Sequence, residues 1–204
     1  MFESFKEGNV ARKLSSVDDL ELNDIIRFQF LPQQDISGKQ FQVIAIMTYD
    51  FEHENYPRFA LQGEQEEIVF ISVLKHLGEQ TLVISKKVVR NDIDGIFGLD
   101  PFADVFEPGS LTLTAKDYPP LAEWLGKSYY KAIDCRQGYR HIGDYRHEPL
   151  PEYEDESSGT DYYLLRDEAE KFAIEIDVCD DDESDVYVVC YHPVTAIAEY
   201  WPHA

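Results

Sequence analysis

The clearest apolar patterns along this chain repeat every second residue, which predicts β-strands. Leu20, Leu22, Ile26, Phe28 and Phe30 keep that spacing and stop at Pro32. A run rich in β-formers covers 41–49 after Ser37-Gly38. Further strands are expected at 58–61, 68–73 and 81–85, divided by Gln62-Gly63-Glu64 and Gly78-Glu79. Short polar breaks between such runs describe an antiparallel meander. Later in the chain, 129–135, 172–178 and 186–191 read the same way.

Helical signals are few. Asp100-Pro101 opens a turn or two that ends at Pro108-Gly109. Asp117 caps a segment with Pro119-Pro120 in its first turn and Gly126 as its stop. Residues 2–14 allow a loose amphipathic helix. The fold class expected is α+β, predominantly antiparallel β with few short helices. Its core is expected to draw on Phe28, Phe30, Val43, Ile44, Ile46, Phe59, Leu61, Val69, Ile71, Leu82, Trp124, Ile133, Leu165, Ile174, Ile176, Val186 and Val188.

The chain also echoes itself. The stretch from Phe59 to Phe70 matches that from Tyr163 to Ile174 at an offset of 104, and Leu82 answers Tyr187 at 105. Upstream, 41–47 corresponds to 129–135. The expected organisation is two similar β-meander modules, 1–100 and 127–204, joined by a connector with short helices at 101–126. A single compact domain is the alternative.

Charge changes the picture most. The 204 residues carry a formal charge of −22. Such a balance repels phosphate backbones and anionic lipid, and attracts basic proteins, polyamines or divalent cations. Direct nucleic-acid binding is not expected. From Glu148 to Asp185 sixteen acidic residues face only Arg166 and Lys171, a local charge of −14. Residues 127–147 carry +3. The longest purely apolar run, 43–47, is five residues, against the roughly 20 that a spanning helix needs. Cys135, Cys179 and Cys190 show no Cys-x-x-Cys spacing, and the N-terminus lacks a basic and apolar leader pattern. A cytoplasmic protein is therefore expected.

No catalytic motif stands out, so the chain is expected not to be an enzyme, and no cofactor is expected. Asp92-Ile-Asp94-Gly95 lacks the apolar strand that a nucleophilic aspartate motif requires and reads as a tight turn. The run from Asp180 to Asp185 fails as a calcium loop, because Asp185 stands where Gly is needed and Tyr191 where Glu is needed. In the stretch 139–147, His141 and His147 are the candidates for a metal site, with Asp144 and Glu148 nearby. The competing account is a hairpin around Ile142-Gly143-Asp144.

The acidic segments are the strongest candidates for binding. Glu152, Glu154, Asp155 and Glu156 lie in a stretch with little to bury, and Asp180, Asp181, Asp182 and Glu183 form a turn between two strands. Together they are expected to meet a basic protein or polycation. The function expected is a non-catalytic accessory or binding protein. An acidic inhibitor (an immunity protein or nucleic-acid mimic) and a metal-assisted enzyme are the alternatives.

Three segments carry a resemblance. Asp-Leu-x-Leu-x-Asp-Ile-Ile at 19–26, Gly-Lys-x-Phe-x-Val at 38–43 and Tyr-x-Arg-Phe-x-Leu-x-Gly at 56–63 resemble an uncharacterised bacterial β-rich domain family. The closing stretch 172–200 is similar to that family's last strands. Its members are encoded beside spermidine-synthase-like enzymes, small membrane proteins and ion-channel genes. The resemblance implies an accessory role near a membrane-stress or polyamine-linked system, and it brings no catalytic residues.

Overall fold

The computed structural model describes residues 12–151, 157–179 and 184–203. Eleven strands form one antiparallel sheet: β1 (Ile25–Phe28), β2 (Gln40–Phe51), β3 (Glu54–Gly63), β4 (Ile68–His76), β5 (Glu79–Val88), β6 (Thr112–Thr114), β7 (Ser128–Ile142), β8 (Ser157–Asp167), β9 (Phe172–Cys179), β10 (Ser184–Pro193) and β11 (Ile197–Trp201). Among the described residues helix is confined to α1 (Arg90–Ile96), α2 (Leu99–Ala103) and short 3-10 turns. The fold is thus mostly antiparallel β with few short helices. Among the described residues, no helix is long and apolar enough to cross a membrane.

The sheet closes on itself. Strands β2 to β5 pair in sequence, as do β7 to β10. β5 joins β10, and the far half of β2 joins β7 from Met47↔Ile142 to Phe51↔Gly138. The result is an eight-stranded barrel. At the closing seam a Cβ on Gly138 would come within 2.4 Å of the Phe51 ring and 2.7 Å of the Asp50 carbonyl, so only glycine fits there. β1 and β11 extend the sheet beyond the near half of β2, and β6 pairs with the near half of β7.

Along part of the barrel wall both faces are buried, which is why strands such as β9 and β10 are almost continuously covered. The outward face carries Phe41, Val43, Phe59, Leu61, Val69, Ile71, Ile174, Ile176, Val186 and Val188. It packs against Val17 and Leu20 from the N-terminal segment, Ile36 from the β1–β2 connection, Ile93 and Phe102 from the helices, and Leu121 and Trp124 from the turn Pro119–Trp124. The inward face holds Tyr49, Phe51, Val83, Tyr162, Leu164, Tyr187 and Val189. Arg58 on β3 reaches Glu175 on β9, four strands away around the ring, which identifies this face as the interior.

Two expected core residues lie elsewhere. Ile44 is a bulge residue between Val43↔Leu61 and Ala45↔Ala60, so it is pushed out and left 40% exposed. Phe30 is 89% exposed because β1 ends at Phe28, before the alternation reaches it. Asp92-Ile-Asp94-Gly95 is no tight turn but the body of α1. There the Asp92 carboxylate accepts from the Val89 N–H at 3.0 Å, closing the first helical turn. The segment 117–126 holds a short helix at Pro119–Trp124, of the 3-10 kind and kinked at Leu121, with Tyr118 rather than Asp117 at its N-cap. Most of the 2–14 helix lies outside the described residues.

The self-similarity holds face for face only in part. Phe59 and Tyr163, and Leu61 and Leu165, occupy matching outward sites in β3 and β8. The β8–β9 turn is one residue longer than the β3–β4 turn, since Gln62↔Ile68 corresponds to Arg166↔Ala173. A constant offset therefore sets inward Phe70 against outward Ile174, and outward Leu82 against inward Tyr187.

Candidate functional site

The barrel has one end formed by the β2–β3, β4–β5 and β8–β9 hairpins. In that half the wall is incomplete. β3 and β4 pair from Gln62↔Ile68 to Phe59↔Ile71 and no further, although both strands continue. Two residues on, Pro57 falls opposite Val73, and its ring nitrogen has no hydrogen to give to the ladder. Behind this gap lies a cavity of about 380 Å³. Tyr56, Val83, Ile133, Tyr162, Leu164 and Tyr191 supply its apolar and aromatic walls, and Ser72, Arg136, Arg166 and Glu175 its polar groups.

Local backbone features aim these side chains. β7 carries bulges on both sides of Ile133, with Cys135 at φ 55°, so that Ile133 pairs with Leu164 and Arg136 with Tyr162. Both therefore face inward despite three residues of separation. Arg136 stacks on Phe51, its guanidinium carbon 4.1 Å from the ring centroid, and pairs with Glu54 at 3.1 Å. Lys75 and Asp18 pair at 2.9 Å at the mouth.

The floor of the cavity is a buried polar network. Arg58, 4% exposed, pairs with Glu175 at 3.2 Å and donates to the Tyr49 hydroxyl at 3.2 Å and to Ser85. Its guanidinium also lies 4.1 Å from the Tyr187 ring centroid, a favourable cation–π position. The second Glu175 oxygen accepts from Tyr162 at 3.2 Å, and Asp177 accepts from Tyr49. Burial pushes the Glu175 and Asp177 carboxyls above their usual range, with Arg58 opposing it. Burial also raises the Tyr49, Tyr162 and Tyr187 phenols, so they stay protonated donors. Arg58 and Glu175 are thus committed to each other, while Asp177 keeps one buried oxygen, Oδ1, without a hydrogen-bond partner.

Arg166 is different. It follows Leu164 on the inward face of β8 and pairs across to Ala173. Its Nε is buried without a hydrogen-bond partner, and the guanidinium lies 5.8 Å from the Tyr191 ring centroid. Among the described residues it joins no ion pair. The neighbouring Asp167 does not serve it, because that carboxylate accepts from the N–H groups of Ala169, Lys171 and Phe172.

The sequence-predicted sites fall elsewhere. Glu152, Glu154, Asp155 and Glu156, and Asp180, Asp181, Asp182 and Glu183, lie outside the described residues. The strand ends that lead into them share one rim, opposite the hairpin end, where Thr160 pairs with Cys179 and Val178 with Ser184. His141 and His147 are not brought together as metal ligands. His141 is fully buried at the β2–β7 seam against Tyr145, while His147 is exposed and Asp144 is engaged by Arg146. Among the described residues no cluster of three or more His, Cys, Asp or Glu side chains is placed to hold a metal ion. Ile142-Gly143-Asp144 ends β7 instead of turning a local hairpin, since β7 pairs with β2 and β8.

Comparisons with protein-family models, curated proteins and solved structures gave no match.

Proposed function

We propose that this chain is a non-catalytic binding protein that holds a small, partly apolar molecule inside its barrel. The observation that carries the reading is the cavity of about 380 Å³ reached through the gap between β3 and β4. That volume lies in the range of small-molecule sites, and aromatic and apolar walls with polar and charged groups converging on them suit a partly apolar ligand. The Arg58–Glu175 pair, in which each charge answers the other, supports a preformed container rather than a reacting centre. An accessory role in a membrane-stress or polyamine-linked system, as the family resemblance implies, is compatible with such a container.

The test uses N-phenyl-1-naphthylamine, an uncharged fluorophore that brightens in apolar surroundings. The protein should bind it at a one-to-one ratio. Ser72 pairs with inward-facing Val83, so Ser72→Trp should fill the cavity and abolish the signal with the circular dichroism spectrum unchanged. Binding that survives in a folded Ser72→Trp variant would place the probe elsewhere and defeat the proposal.

A second reading is binding of a basic protein or polycation by the acidic segments. The strand ends leading into both segments meet at one rim, which favours their acting together. Exposed charges act weakly one by one, so such binding must be multivalent and salt-sensitive. Replacing Glu152, Glu154, Asp155 and Glu156 with Ser should weaken retention on immobilised polylysine at low salt. Unchanged retention removes this reading.

A further inference from the structure

We infer that the molecule held in the barrel is a planar aromatic carboxylate whose acid group docks on Arg166, an inference that rests on the binding reading above. The argument is one of charge left over. Around the cavity every other charged side chain is answered: Glu175 by Arg58, Glu54 by Arg136, and Asp18 by Lys75. Among the charged side chains that line the cavity, Arg166 has no carboxylate in ion-pair reach: its Nε is buried and donates to nothing, and its guanidinium is engaged by the neutral Tyr191 side chain. A buried donor without an acceptor is costly, so the site favours a ligand that supplies one. A carboxylate matches the guanidinium fork with two parallel hydrogen bonds, which a hydroxyl or amide does not.

The rest of the molecule follows from the walls. Tyr191 lies beneath the Arg166 guanidinium, and Tyr56 and Tyr162 line the cavity further in. Flat rings in this setting favour a flat, apolar body that meets them in offset or edge contact. Val83, Ile133 and Leu164 offer no polar partner, and of the remaining polar groups Arg136 and Glu175 are already paired, so the ligand's charge belongs at the Arg166 end. A cationic ligand is disfavoured, because both Glu175 oxygens already accept hydrogen bonds, from Arg58 and Tyr162.

The experiment compares 2-naphthoate with 2-naphthamide, its uncharged near-isostere, in displacing N-phenyl-1-naphthylamine at pH 7. Wild-type protein should bind the acid at least about tenfold more tightly than the amide, the scale of a hydrogen bond to a charged group. Arg166→Met should keep the fluorophore and the amide but lose the preference for the acid. Arg166→Lys, which keeps the charge without the fork, should retain only part of it. Equal affinity for acid and amide in the wild type, or an undiminished preference in Arg166→Met, overturns the inference and leaves the binding reading intact. A wild-type protein that takes up neither the fluorophore nor either naphthalene overturns both.

Discussion

Replacing Arg58 with Met is expected to cost the protein about 3–5 kcal/mol at pH 7, the scale for removing one partner of a buried ion pair. Methionine replaces the aliphatic stem but not the guanidinium that lies over the Phe70 and Tyr187 rings, so the ion pair and the cation–π contacts are lost together. Glu175 would keep only the Tyr162 hydroxyl, and Tyr49 would lose the guanidinium that braces it. Burial already holds the Glu175 and Asp177 carboxyls above their usual range, and removing the cation that opposes burial raises them further. The folded variant then binds more protons than the unfolded chain between the ordinary carboxylate value and the raised one. Across that window its stability falls as pH rises, so the deficit against wild type should shrink on acidification towards pH 5. Arg58→Met combined with Glu175→Gln should recover much of the loss, since a neutral amide replaces the stranded charge. Urea unfolding followed by tryptophan fluorescence measures all three. A deficit below about 1 kcal/mol, or a double variant no better than the single one, would mean that the pair is not a keystone of the interior.

That interior also explains what the sequence revealed and what it hid. Strand positions were legible because both faces of the wall are apolar enough to mark them, and β2, β4, β5, β9 and β10 lie close to where the alternation put them. The faces themselves were not. In β9 the order Ala173-Ile174-Glu175-Ile176-Asp177 suggests an acidic solvent face, yet Glu175 and Asp177 point into the barrel and the isoleucines point outward. The inversion arises because the outward face is covered by the N-terminal segment, α1, α2 and the turn Pro119–Trp124. None of these announces itself as a cover in the sequence. Arg58 and Arg166 escaped notice for the same reason, as single charges in apolar strands normally reach solvent. Closure was hidden too, because β2 and β7 pair only through their far halves. Gly138 was the available clue: a glycine inside a long strand marks close backbone approach. Pro57 pointed to the gap in the wall, since a proline within a strand removes a ladder bond.

Asp24→Asn is expected to destabilise by about 3 kcal/mol and to release both ends of the chain at once. The Asp24 side chain is fully buried, and its two oxygens accept from the Arg12 guanidinium, the Glu21 N–H at 2.7 Å, the His203 N–H at 2.9 Å and, at 3.1 Å, His203 Nδ1. One carboxylate thereby ties the N-terminal segment, the entry to β1 and the end of β11 together. Burial alone would raise this carboxyl, but Arg12 and the N–H donors outweigh it, and the group is held below the usual carboxylate range. Its contribution is therefore present above the ordinary carboxylate value and is lost as pH falls through the lowered folded one. An asparagine turns an amide NH₂ towards donors and cannot answer Arg12 with charge, and its variant should lack this acid-sensitive component. The effect should also be local. Hydrogen exchange should accelerate in Ile25–Phe28 and Ile197–Trp201, whose pairing depends on this tie, while Ala173 to Ile176 in the barrel ring stays protected. Exchange that rises equally in ring and flank would make Asp24 a support of the whole barrel rather than the clasp of its two ends.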